Sequence, residues 1–334
     1  MPHQRDRNAF RAAPTSPPQT ANIHRFAIRI GWNGSTYKGF QSQPYGNTIQ
    51  DQIEHKLQCL FKRHVGIVAW GRTDAGVHAN AAVITIDLTD AEVKRLATRS
   101  DGDMQASKAV EAAQFLLQAL KRFACSTGVS DREGRLRFGS ISALNVVPVP
   151  LSFDARYSAR WKRYVYYICS GGESIDIPFA WLDYSWRVPW NLDFDAMVKA
   201  AELLNGKEHN YEWLSVIQNG ELRSSRRALK LTVEEVKFTA TLSDMPYFLR
   251  HATSAKLYKV TATSDFFLYK MIRRIVGMLV SIGRGHATLT SLAACIDMHD
   301  KSIDCSKMKV PKELVETAPP NGLCLEHIEY DIPI

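Results

Sequence analysis

The chain has 334 residues, 45% of them hydrophobic, which is ample apolar side chain for one large core or two smaller ones. No uninterrupted apolar run reaches the ~18 residues of a membrane-spanning helix, so no such helix is expected. Lys and Arg outnumber Asp and Glu by 42 to 34, for a formal charge of +8 and a pI near 9.1. That balance favours polyanionic partners, because each phosphate neutralised releases a condensed counterion, but it carries no information about fold or reaction.

Residues 1–21 read as a disordered tail, with Pro14, Pro17 and Pro18 breaking regular structure and Arg5, Arg7 and Arg11 adding charge. A transit peptide is the competing reading, and Asp6 and the missing amphipathic helix weigh against it. Phe26, Ile28, Ile30 and Trp32 alternate with other residues at period two, which predicts a strand. The Gly31–Gly39 stretch must turn. Thr48 then caps a helix, with Asp51 three residues on and Ile49, Ile53, Leu57 and Leu60 on one face. Ala81–Leu88 reads as a second strand, Asp90–Ala97 as a short helix, Ser100–Ser107 as a polar loop and Ala109–Phe123 as a helix. Asp131–Gly134 is expected to turn, and Pro148 and Pro150 mark the boundary between an N-terminal half over 22–149 and a C-terminal half over 150–334. In the second half, strands are predicted at Arg163–Ser170, Leu231–Phe238, Lys256–Thr263 and Leu323–Tyr330. Helices are predicted at Phe194–Leu204, ending at Gly206, and at Asp265–Ile282. Strands and helices mix without strict alternation, so the expected class is α+β with a mainly antiparallel sheet and flanking helices.

The six cysteines, Cys59, Cys125, Cys169, Cys295, Cys305 and Cys324, form no C-x-x-C pair and none sits beside His at zinc spacing. Free thiols in a reducing compartment are the expectation, with no structural metal.

One stretch suggests chemistry: Gly71-Arg72-Thr73-Asp74-Ala75-Gly76-Val77-His78-Ala79, placed in a loop before a predicted strand. Glycines flank a carboxylate and allow its backbone to come close to a ligand. A neighbouring cation would favour the charged, nucleophilic form of that carboxylate. A lone Asp-x-Gly would read as a surface turn, with the Asp bonding to its own backbone. The longer string is much more specific, and it resembles the signature of TruA-type transfer RNA pseudouridine synthases.

Four further blocks follow the same resemblance in order. Gly34–Gln43 with Thr48-Ile49-Gln50 resembles the family's first strand–loop and helix start. Phe153–Ala159, continuing to Arg163–Tyr166, resembles its second motif. Phe267–Arg273 resembles its third, and Ala318–Leu323 running to Tyr330 resembles its C-terminal strand. The resemblance implies a pseudouridine synthase fold, with two α+β halves sharing a central sheet and a basic cleft. It also implies isomerisation of a tRNA uridine without cofactor or metal, on the 3′ side of the anticodon stem-loop.

By the same resemblance Asp74 is the nucleophile, Arg273 its guanidinium partner, Tyr164 the active-site tyrosine that stacks on an extruded uracil, and Arg72 with Thr73 substrate-binding residues. Taken from the residues alone, Tyr164 could equally be a core tyrosine of a Tyr-rich strand, and Arg273-Arg274 a solvated basic face. On an ideal helix Arg273 lies off the apolar arc, with Gly277 one turn on leaving room for another backbone or for RNA. Arg72 serves either the flipped base or a phosphate. His78 either polarises a substrate carbonyl or satisfies the turn. Arg160, Lys162 and Arg163, interleaved with Trp161 and Tyr164, and Arg226 with Arg223 and Arg227, suit RNA backbone contacts with stacking, or else a charged edge that resists aggregation.

Three places depart from the usual family pattern: Asn33, often Asp; His209-Asn210-Tyr211, often His-Asp-Phe; and Arg227-Ala228, often Thr-Ile. The competing readings are a related synthase acting on another tRNA site or an organellar rRNA, and a non-catalytic RNA-binding assembly factor that kept the fold. Both homodimeric and monomeric relatives exist, and the sequence selects neither. Cytoplasm or nucleus is the expected compartment, with an organelle as the alternative.

Overall fold

A computed structural model describes residues 22–44, 46–97, 108–126, 129–130, 136–137, 140–171, 183–216, 226–236, 256–301 and 309–334. The expected tail, the polar loop at 100–107, the turn at 131–134 and Arg223 lie outside the described residues. The chain is mixed α+β with mainly antiparallel strand pairing and six helices among the described residues. It divides into two compact units. The first holds residues 1–74, 81–159 and 330–334, and the second holds 75–80 and 160–329. The division falls within the strand that follows Pro148 and Pro150, and residues 75–80 group with the second unit.

In the first unit, β1 (Ile23–Trp32) pairs antiparallel with β6 (Ile141–Val149), from Arg25 opposite Val149 to Trp32 opposite Ile141, with an irregularity between Arg29 and Ile30. On its other side β1 neighbours β3 (His78–Thr89), and β2 (Val68–Ala69) pairs antiparallel with β3. A two-strand ribbon, β4 (Val129–Ser130) with β5 (Leu136–Arg137), adds no further strand to this sheet. Three helices accompany the sheet: α1 (Ile49–Phe61), α2 (Asp90–Ala97) and α3 (Lys108–Ser126), the last packed on α2 and β6.

Helix α1 begins where the sequence places it because Thr48 and Asp51 close a capping box. The Asp51 N–H donates to Thr48 Oγ1 at 3.2 Å and the Thr48 N–H to Asp51 Oδ2 at 3.3 Å. Burial is continuous over Phe26–Ile28 of β1 and Ala81–Ile86 of β3, as in strands covered on both faces, and Leu57 of α1 and Leu96 of α2 are also buried. Arg25 ties the sheet to the chain after β6: it holds Asp87 through two parallel hydrogen bonds of 2.7 and 2.8 Å and donates to the carbonyls of Leu151 and Phe153.

In the second unit, β11 (Lys230–Glu235), β12 (Lys256–Ser264) and β7 (Ala159–Ser170) form an antiparallel run, with β8 (Trp186–Val188) parallel to β7. Next to β7 comes β13 (Leu323–Tyr330), which runs parallel to the start of β3, Cys324 opposite His78 and Leu325 opposite Ala79. A small ribbon joins β9 (Glu208–Asn210) to β10 (Arg226–Ala228). Helix α4 (Phe194–Leu204) packs on α5 (Met271–Gly283) and β11, and α6 (Leu289–Lys301) packs on β9.

The predicted helix over 265–282 starts six residues later than expected. Lys270 adopts a left-handed conformation, φ 59°, which a right-handed helix cannot run through, and Asp265 Oδ1 accepts from the Phe266 N–H in a tight turn. Apolar periodicity continues back through Leu268 and Phe267, so the pattern overran the true start. Every residue of α5 is buried except Arg273 and Arg274. Among the described residues, no helix is long and apolar enough to cross a membrane and no His, Cys, Asp and Glu cluster could hold a metal. Cys59, Cys169, Cys295 and Cys324 are free thiols.

Candidate active site

The chain reaches Asp74 from a rigid aromatic base. Trp32, Phe40 and Trp70 form a cluster in the first unit, with ring centroids 4.9 to 5.7 Å apart. Phe40 belongs to the Gly34–Gln43 loop, which is itself bound to the start of α1 through Ile49 N–H to Gly39 O and Gln50 N–H to Phe40 O. The Phe40 N–H donates at 3.3 Å to the carbonyl of Thr73, the residue before Asp74. Asp74 and Thr73 are half-buried and Arg72 is exposed. The two motif stretches that the sequence singles out separately are therefore hydrogen-bonded to each other.

Immediately after Asp74 the chain enters the second unit. Gly76 has φ +83°, and a Cβ there would stand 2.8 Å from Cγ of Pro320. Both the left-handed backbone and the close approach require glycine. His78 is 3% exposed. Its Nε2 lies 3.0 Å from the Asp183 carbonyl and 3.1 Å from the Asn321 carbonyl, and its ring packs on Tyr184. Burial pushes its pKa down, so the ring is neutral at pH 7. Two carbonyl acceptors on one nitrogen put the proton on Nε2. Of the two roles open to it, His78 takes the anchoring one.

Tyr164 and Tyr166 share one face of β7 by the period of two. Tyr164 is buried and meets Phe267 edge to face, centroids 5.2 Å apart at 83°. The Tyr166 hydroxyl donates to the Pro319 carbonyl at 2.7 Å, and burial raises its pKa although Arg273 opposes the rise. Arg273 donates from Nε to the Ala318 carbonyl at 2.7 Å, and the Ala318 N–H donates back to the Arg273 carbonyl at 3.0 Å. Its neighbour Arg274 turns elsewhere, donating to the carbonyls of Ser215 at 2.5 Å and Trp213 at 3.4 Å. Gly277 makes room for another backbone, that of Glu316.

Within the second unit, then, the Ala318–Gly322 segment meets Arg273, Tyr166, Gly76 and His78. Asp74 ends the first stretch of the first unit, and Ala75 opens the 75–80 stretch of the second. Sequence reasoning did not single out Tyr166, Pro319 or Pro320 as site residues. The only trace of their role was the Ala-Pro-Pro-Asn-Gly string, whose prolines and glycine signal a fixed path but not what it touches.

Residues 200–331 match the family model described as tRNA pseudouridine synthase, a span that includes Arg273 and Ala318–Gly322. The chain is similar to tRNA pseudouridine synthase A of Thermodesulfovibrio yellowstonii, 28% identical over 91% of this chain and 98% of that protein. It is also similar to those of Parabacteroides distasonis, 26% identical over 84% and 89%, and Brucella anthropi, 27% over 92% and 99%. The chain is thus similar, over most of its length, to proteins named tRNA pseudouridine synthase A.

The places where this chain departs from the pattern it resembles have local explanations. Asn33 Oδ1 accepts from the Ser35 N–H at 3.0 Å, and Asn210 Oδ1 from the Glu212 N–H at 3.0 Å. An aspartate oxygen would do the same, so the amide retains the turn-forming acceptor. Tyr211 is fully buried and uses its hydroxyl on the Leu204 carbonyl. Arg227 is buried against the Phe266 ring, 4.9 Å from its centroid, and donates to the Phe266 carbonyl at 3.1 Å.

The basic residues singled out in the sequence divide by exposure. Arg160 and Arg226 are exposed, while Lys162 is 8% exposed. Arg163 lies over the Trp161 ring at 5.2 Å and 3.8 Å from Glu326. Arg226 donates to the Asp300 carbonyl at 3.0 Å. Asp300 in turn accepts from the Asn210 N–H at 2.7 Å and lies 2.6 Å from His209 Nδ1. Desolvation works against its charge, yet these bonds hold its carboxyl below the ordinary range.

Proposed function

We propose that this protein is a tRNA pseudouridine synthase that converts a uridine on the 3′ side of the anticodon stem-loop to pseudouridine, with Asp74 as nucleophile and no cofactor. The observation that carries the reading is the Gly71–Ala79 loop. The Thr73 carbonyl, just before the carboxylate, accepts from the Phe40 N–H, and Gly76, two residues after it, lies against Pro320, in a chain similar to tRNA pseudouridine synthase A. A loop braced on both flanks suits a nucleophile, since the reacting group must be held close to attack geometry.

The reaction is an isomerisation. The C1′–N1 bond breaks, the uracil turns, C1′ joins C5, and the C5 proton is replaced at N1, so atoms balance without an added oxidant or reductant. Asp74 attacks either the ribose C1′ or the uracil ring, and both routes give the same net exchange. The base must leave its stack before Asp74 can reach it. Tyr164, its plane fixed by Phe267, stacks on the extruded uracil. In this reading Arg273 serves as the guanidinium partner of Asp74, and Arg72 with Thr73 contacts the substrate. Arg160, Lys162, Arg163 and Arg226 contribute to holding the RNA backbone.

The test is to incubate the protein with an unmodified tRNA transcript and map pseudouridine chemically. The expected result is a product confined to the 3′ side of the anticodon stem-loop. Pseudouridine at another tRNA position would overturn the target, and the absence of any product would overturn the enzyme.

A further inference from the structure

The connector between the single-turn helix at Lys312–Leu314 and β13 is more than a link. Its backbone is stiffened by Pro319 and Pro320, whose rings fix φ. Its last five residues, Ala318–Gly322, meet Arg273, Tyr166, Gly76 and His78. The Ala318 carbonyl receives Arg273 Nε and its N–H returns a bond to Arg273. The Pro319 carbonyl receives the Tyr166 hydroxyl. The Pro320 ring fills the space a Cβ would need at Gly76, two residues after Asp74. The Asn321 carbonyl faces His78 Nε2, and its side-chain amide donates to Ser185 O at 2.7 Å. Gly322 lets the Tyr166 ring close in, since a Cβ there would be 2.5 Å from that ring.

We propose that Ala318–Gly322 is a brace that fixes Arg273 together with the Gly76–His78 stretch of the second unit, and that Tyr166 is a positioning residue acting through Arg273. A guanidinium is planar, so committing Nε to one carbonyl fixes the plane in which both terminal nitrogens point. The direction of that carbonyl depends on the next peptide, and Tyr166 holds the next carbonyl from a buried strand. The hydroxyl is thus two hydrogen bonds from the guanidinium. The inference rests on the reading of Arg273 as the partner of Asp74.

The test is Tyr166→Phe, which keeps the ring on Gly322 and deletes only the hydroxyl, measured for single-turnover rate and KM on tRNA, alone and with Arg273→Lys. A displacement of about 1 Å at a reacting group can cost roughly a hundredfold in rate, so a fall of about ten- to a hundredfold is expected, with KM within about twofold. In the Arg273→Lys background the same change should cost less than about twofold, because coupled residues are not additive. A full rate for Tyr166→Phe overturns the brace and leaves the Arg273 assignment standing if Arg273→Lys is slow. Equal losses in both backgrounds show that Tyr166 acts by another route, and also overturn it. An Arg273→Lys variant at the wild-type rate removes the Arg273 assignment itself, and the brace with it. Should Tyr166→Phe fail to fold, Pro320→Ala loosens the same segment from its surface and is put through the same comparison.

Discussion

Replacing Gly277 by alanine should destabilise the protein, against the usual effect of this change in a helix. In an ordinary helix interior Gly→Ala gains about 1 kcal/mol from propensity. Here the added Cβ would stand 2.0 Å from the Glu316 carbonyl oxygen, 2.7 Å from its carbon and 3.4 Å from the Ala318 nitrogen. A relaxed carbon–oxygen contact is about 3.3 Å or more, so the 316–318 backbone must retreat by roughly 1.3 Å. That retreat breaks the Ala318 N–H to Arg273 carbonyl bond at 3.0 Å and the Arg273 Nε to Ala318 carbonyl bond at 2.7 Å. One neutral and one charged hydrogen bond together contribute about 2 to 4 kcal/mol. Overpacking a buried contact costs about 1 to 3 kcal/mol where the backbone does not yield fully. The net expectation is a loss of about 2 to 4 kcal/mol, visible in thermal unfolding as a drop of several degrees in Tm. A Gly277→Ala protein as stable as wild type, or more so, would refute the packing argument and with it the account of how Arg273 is held.

Other consequences can be checked more simply. Thr48→Ala removes the capping box at the start of α1 and should cost about 1 kcal/mol in denaturant unfolding, and Thr48→Ser should restore most of it. Glu92 is held by Arg63 at 2.8 and 2.9 Å and by Thr89, which keep its pKa below the ordinary value although desolvation pulls the other way. A depressed carboxyl stabilises the fold above its unfolded pKa of about 4.3 and loses that contribution as pH falls through the folded value. The Tm gap between wild type and Glu92→Gln should therefore be open at pH 7 and close as the solution is acidified below about pH 4; a gap independent of pH would contradict the assignment. Binding to tRNA should weaken steeply between low and moderate salt, and a flat response would remove the role given to the basic residues.

Much of the fold can be read from local pattern because local pattern decides it. The helices Asp90–Ala97 and Phe194–Leu204 and the strand Leu323–Tyr330 fall at their predicted bounds, and Thr48 caps where a Thr-x-x-Asp should. The start of α5 was misread because nothing in the apolar pattern reports that Lys270 is left-handed. The site divides the same way. The Asp74 loop stands out as a string, and Gly277 as a place where something must come close. What lies against it, Glu316, is 39 positions on, and such a contact leaves no periodic trace. The resemblance singled out Arg273 over Arg274, but sequence could not say what either meets: one donates to Ala318 and the other to Ser215. Nor could it say that Lys162, within a basic cluster, is buried, or that the Tyr166 hydroxyl holds the Pro319 carbonyl.

The whole account depends on the carboxyl group of Asp74 performing the first bond-making step. Asp74→Asn preserves size and most hydrogen bonding, so tRNA affinity and Tm should stay close to wild type. A single-turnover assay with chemical mapping of the RNA should then find bound tRNA and no pseudouridine; pseudouridine formed by Asp74→Asn at the wild-type rate would contradict the account.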